Sequence, residues 1–266
     1  MNIQIFIQTW RTRSKSLISW GAVIALMGGI ELGVYPTIKK AGNSITQFLD
    51  AYPEVMRKMF RLEDFTTGPG FLNAELFSLI IPMVMIGVGL AWGASATADD
   101  EEKGTADLLF TLPISRLNIL WSRVVAMASA LALLTCFIFL FFFLGNRFVH
   151  LNLNTSNLLG ATISCYFIGL LFASIGTMFG SLTGKRGISL GIGSGIAVLC
   201  YLFYTISSID KHFDFIKPFN PFQWLLASSQ LTDGLKLTVN IKFLFLISIF
   251  IAISSAAINK RDIHSS

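Results

Sequence analysis

The sequence is poor in charge. Lys, Arg, Asp and Glu make up 13% of its 266 residues, about half the share of a soluble domain. That is too little to cover a water-facing surface, so an ordinary soluble fold is excluded. Cysteine is scarce as well. Cys136, Cys165 and Cys200 each lie inside an apolar run, which reads as small buried hydrophobes rather than a disulfide or metal framework. His150, His212 and His264 are scattered over loops and a terminus without metal-ligand spacing. No cluster of His, Asp or Glu with a nucleophile supports an enzyme. The nearest imitation of a phosphate loop runs from Gly180 to Arg186. It has three residues between its glycines, and a Walker A motif needs four, with Ser or Thr after the Lys. ATP hydrolysis on this chain is not expected.

What is present is apolar. Hydrophobic residues reach 53%, with 24 Phe and a mean hydropathy of +0.67. Six runs are long enough to cross a bilayer, at ~20 residues each: about 17–35, 76–96, 124–144, 158–180, 188–208 and 241–258. The expected fold is an all-α integral membrane protein, a single transmembrane domain over 1–266. In that setting the net charge of +5 reflects topology and anionic lipid rather than nucleic acid.

Residues 1–16 are amphipathic. Ile3, Phe6, Ile7, Trp10 and then Leu17 mark one helical face, and Gln4, Gln8, Arg11 and Lys15 the other. This predicts an interfacial helix. A signal peptide is the alternative, opposed by the length of the following core and the lack of an Ala-x-Ala site. Glu31 lies in the first span. It reads either as a transport-path residue, as ionisable groups at membrane depth often are, or as an interfacial one near the span's end.

The 36–75 loop carries a capping box, Ser44-Ile45-Thr46-Gln47, and two amphipathic stretches: Ile45, Phe48, Leu49, Tyr52, then Val55, Met56, Met59, Phe60. In the third span the run Phe137 to Phe143 is apolar all round, which places one face against lipid. Glycines at 176, 180 and 184 and at 187, 191 and 195 predict that the fourth and fifth spans form a tight pair.

The densest charge lies between the second and third spans, from Asp99 to Arg116. Thr105 reads as an N-cap, Asp107 as first-turn acid, and Leu108, Leu109 and Leu112 as one apolar face. Pro113 ends that short helix and Ser115 caps the next. The alternative is a solvated loop.

Glu102-Lys103-Gly104-Thr105, Asp107-Leu108-Leu109 and Pro113-Ile114-Ser115-Arg116 resemble the cytoplasmic loop of ABC-2 type transporter permeases. Asp107 stands where that family more usually has Glu. The segment Pro218 to Leu226 resembles, more weakly, the short re-entrant helices that the family places before its last span. The resemblance implies the type V exporter-like architecture, with no cofactor on this chain. It implies a separate ABC ATPase in two copies that uses ATP and Mg, and a second permease chain, identical or paired. It assigns ATPase coupling to Glu102, Gly104, Thr105, Asp107, Leu108, Leu109, Leu112, Pro113, Ser115 and Arg116.

Lys and Arg divide equally between the two sides of such a topology. The terminal-side loops are shorter and their basic residues abut the spans, which places both termini in the cytoplasm, as the resemblance also implies. That makes 97–123 a cytoplasmic coupling loop and 36–75 and 209–240 extracytoplasmic loops, in a bacterial cytoplasmic membrane. An exporter of a drug, peptide antibiotic or lipid-like substrate is the leading reading. A secondary transporter would need midplane ionisable sites or repeated halves, and Glu31 is its sole candidate. A non-transporting membrane immunity or scaffold protein is the other alternative.

Overall fold

A computed structural model describes residues 1–53, 56–57, 61–62, 64–105, 113–226, 230–234 and 237–260. Among them there is no β-strand.

Helix α1, Ile3–Lys40, is capped by Asn2, whose side chain accepts from the N–H groups of Gln4 and Ile5. The segment expected at the interface and the first span are thus one continuous helix. It passes through Pro36 and ends on Lys39 and Lys40, where cations oppose the carbonyl end of the helix dipole. Helix α2, Gly42–Asp50, supplies the first short helix of the following loop. It starts at Gly42 after an uncapped Ala41, so Ser44 and Gln47 lie inside it rather than forming a capping box. Only Ala41 separates α1 from α2, which leaves no room for the later start. Val55, Met59 and Phe60, expected in a second short helix, lie outside the described residues.

Helix α3, Gly68–Leu72, is capped by Thr67 and leads through a π-helical turn, Asn73–Phe77, into α4, Ile80–Glu102. The remaining long helices are α5, Arg116–Val149; α6, Thr155–Thr183; and α7, Arg186–Ile209. A 3-10 helix, Lys211–Phe219, and two short helices, α8, Pro221–Leu226, and α9, Gln230–Asp233, precede α10, Leu237–Lys260. Among the described residues, six helical segments are long and apolar enough to cross a membrane: α1, α3 through α4, α5, α6, α7 and α10. Each overlaps one expected span.

The most extensive packing joins α4 to α6. Gly89 and Gly93 lie against the carbonyls of Gly169 and Ala173, and Gly176 and Gly180 against Leu90, Ala94 and Thr97. A Cβ at Gly93 would overlap the Ala173 carbonyl oxygen. In lipid, where apolar contact between helices gains little, such backbone approach is what holds helices together. The expected tight pair of fourth and fifth spans is therefore corrected: the second span takes the fourth span's glycines. Gly187, Gly191 and Gly195 of α7 face open space. Helix α7 reaches the centre instead through Gly193 against Leu90 and a 2.6 Å hydrogen bond from Ser189 Oγ to the Gly176 carbonyl.

Helices α1, α5 and α10 pack around this pair. In the Phe-rich run Ile138 and Phe142 are buried while Phe137 and Leu140 are exposed, as a lipid-facing side requires. The short helices fold back onto the bundle, burying Phe222, Leu225, Leu226 and Leu231.

Candidate functional site

The charged stretch begins as the last turn of α4. That helix ends in a Schellman motif: Thr105 N–H donates to the Asp100 carbonyl at 2.8 Å and Gly104 N–H to the Glu101 carbonyl at 3.1 Å. Gly104 has φ +64°, the left-handed conformation that glycine adopts most cheaply. Gly104 and Thr105 thus close α4. The helix that Thr105 was expected to cap falls in 106–112, where Asp107, Leu108, Leu109 and Leu112 lie outside the described residues. Beyond it, Pro113 is exposed. Ser115 caps α5, accepting from Asn118 N–H at 3.3 Å. Arg116 donates through Nη1 to the Ile258 carbonyl of α10 at 3.3 Å.

The acids are tied to other helices. Asp99 Oδ2 accepts from Arg13 Nη2 of α1 at 2.7 Å and lies 3.2 Å from Lys103 Nζ, while its Oδ1 is 3.6 Å from Arg186 Nε. Asp100 pairs with Arg123 of α5 at 2.5 Å, and the same guanidinium donates to the Ala96 carbonyl at 2.9 Å. Glu102 accepts from the backbone N–H of Arg186 and of Gly187 at the start of α7. Asp99, Arg13 and Arg123 are mostly buried, where an ion needs a partner to offset its lost hydration.

Trp10 and Trp92 meet edge to face at 6.0 Å beneath these pairs, and Trp10 Nε1 donates to Ser129 Oγ at 3.0 Å. A pocket of about 460 Å³ opens between α1, α4 and α5, lined by Gln8, Thr12, Arg13, Trp92, Asp99 and Arg123 among others. It carries both signs of charge. Among the described residues no three His, Cys, Asp or Glu stand close enough to hold a metal.

A model of ABC-2 family transporter proteins matches residues 3–263. The chain belongs to the ABC-2 transporter family. No curated protein matches it. The chain is thus a multi-pass membrane permease, of a family that works with an ABC ATPase.

The structure gathers Glu102, Gly104, Thr105, Ser115 and Arg116 at one end of the permease, near the start of α1 and the end of α10. Glu31 is elsewhere, about 27 Å along α1 from Arg13 at 1.5 Å per residue. Its electrostatic neighbour is Glu75 of the π-helical turn. Sequence reasoning missed Arg13, Arg123 and Arg186 as partners of the acids. It had one usable signal: Trp10, Arg13, Leu17 and Ile24 recur at helical spacing, so Arg13 stands on an apolar face where a charge needs a counter-ion. Glu75 was missed because the π-helical turn leaves no periodic trace.

Proposed function

We propose that this permease is the membrane half of an ABC exporter in a bacterial cytoplasmic membrane. Two copies of a separate ATPase, using ATP and Mg, and a second permease chain complete it. Both termini and the charged end face the cytoplasm. The loop through residues 106–112 acts as the coupling helix, with Leu108, Leu109 and Leu112 seated in a groove of the ATPase and Asp107 toward the rim, while Arg116 holds the loop's far end to α10. Closure of the ATPase on ATP then shifts the loop, and the spans follow as packed bodies. The substrate is drug-, peptide- or lipid-like, and Glu31 lies on its path.

The observation that carries this reading is the fixing of both ends of that segment. Before it, Gly104 closes α4 and the acids of α4 are joined to α1, α5 and α7. After it, Ser115 starts α5 and Arg116 reaches α10. A push on a segment held in this way is passed to several helices at once, which a merely solvated loop would not do.

The test is co-purification with the ATPase, followed by ATPase activity in nanodiscs. Leu108→Asp places a charge in a desolvated groove, at a cost of about 3 kcal/mol or more. It should release the ATPase while the permease still inserts. Normal binding and stimulation would reduce the segment to a solvated loop. For the transport path, Glu31→Gln should alter transport with assembly intact; unchanged transport would make Glu31 an interfacial residue.

A further inference from the structure

Helix α7 begins without a cap of its own. Lys185 occupies its N-cap position and makes no side-chain cap bond, since an ammonium has no acceptor. The free N–H groups are taken by a carboxylate 84 residues earlier in the chain. Glu102 Oε1 accepts from Arg186 N–H at 2.6 Å and lies 3.4 Å from Gly187 N. A carboxylate there also meets the positive end of the helix dipole. Glu102 is the last residue of α4, immediately before the loop. One turn back, Asp99 bridges Arg13 and Arg186. The first turns of α7 have few other anchors: Gly187 and Gly191 face open space, and Ser189 supplies one bond to α6.

We propose that Glu102 is a positioning residue that makes the start of α7 move with the loop. A displacement of residues 103–115 then reaches the fifth span through this cap, while the α4–α6 contact stays rigid. The proposal rests on the loop being the ATPase-coupling element, and it adds the route by which movement leaves the loop. A cap supplied from within α7 would serve its stability equally well and would carry no such movement. That difference makes the role testable.

Three variants are compared: Glu102→Ala, Glu102→Gln, and Glu102→Ala with Lys185→Ser. In the permease alone, in nanodiscs, hydrogen exchange is followed in a peptide spanning 185–190. Glu102→Ala should exchange there roughly five- to tenfold faster, and the added Lys185→Ser, a local cap, should restore protection. With the ATPase bound, Glu102→Ala should lower permease-dependent stimulation by roughly threefold or more without loss of binding. The double variant should stay low although α7 is capped again. Glu102→Gln keeps an acceptor and should retain most stimulation. Recovery of stimulation in the double variant would make the cap merely structural and overturn the proposal, as would unchanged exchange in Glu102→Ala. If the wild-type permease fails to bind the ATPase, the coupling reading and this proposal fall together. Normal wild-type binding and stimulation with either overturning result would remove this proposal alone.

Discussion

The two ends of the bundle are held together by different chemistry. At the loop end, ions join the helices: Arg13 to Asp99, Arg186 to Asp99, Arg123 to Asp100. At the far end, neutral amides and hydroxyls make most of the joins. Asn146 brackets Leu153 through its N–H and carbonyl, Asn157 donates to the Leu231 and Thr232 carbonyls, and Asn220 donates to the Cys200 carbonyl. Ser164 lies 2.6 Å from Gln230 Oε1 and 3.3 Å from Asn240 Oδ1, all three buried. Among the described residues, the far end's Arg57–Asp50, His212–Asp210 and Lys217–Asp214 pairs each stay within one loop or helix. Charged joins are strong when dry and respond to salt and to an approaching charged partner; amide joins do not. The difference is in keeping with the proposed docking of a soluble ATPase at the loop end.

The largest effect should come between the ends, where both depend on the α4–α6 contact. Gly93→Val drives a side chain into the Ala173 carbonyl. It should cost about 3 kcal/mol or more, read as loss of the monodisperse peak and of a thermal transition. Next is the charged end. The Arg123–Asp100 side chains keep 15% and 23% of their exposure, between a buried and a surface pair. Arg123→Ala should therefore cost about 2 kcal/mol. Arg123→Met with Asp100→Leu should recover most of that, because neither charge is left alone. At the far end Ser164→Ala should cost about 1 kcal/mol. Raising salt from about 0.1 to about 1 M should narrow the gap between wild type and Arg123→Ala and leave that of Ser164→Ala unchanged. An equal salt response at both ends would break the contrast. The smallest effect belongs to Gly191→Ala on the open side of α7, within about 0.5 kcal/mol of wild type and favourable if anything.

Much of this was legible in the sequence, for physical reasons. A bilayer demands long apolar runs and internally bonded backbone, so six helices follow from the runs alone. Local chemistry was legible in part: Ser115 reads as the cap of the next helix and caps α5, whereas the left-handed Gly104 that closes α4 went unread. Pairing was not legible. The stripes at 176, 180, 184 and at 187, 191, 195 look alike, yet Gly176 and Gly180 are pressed against α4 while the second stripe faces open space. Small-residue spacing says that a close approach is possible and does not name the partner. Arg11, Arg13 and Lys15 also look alike as a basic cluster; only helical phase separates Arg13. Asp99 finds Arg13 across 86 residues, a distance that no local pattern spans. The leucine face at 108, 109 and 112 remains a reading of the sequence and its family.

The proposed coupling requires the charged end to lie on the cytoplasmic side of the membrane, since an ATPase can reach it only from there. With Cys136, Cys165 and Cys200 replaced, single cysteines at Thr105 and Asn154 can be offered an impermeant maleimide on intact cells. Thr105→Cys should react only after permeabilisation, and Asn154→Cys should react from outside. Labelling of Thr105→Cys on intact cells, with Asn154→Cys protected, would contradict the account.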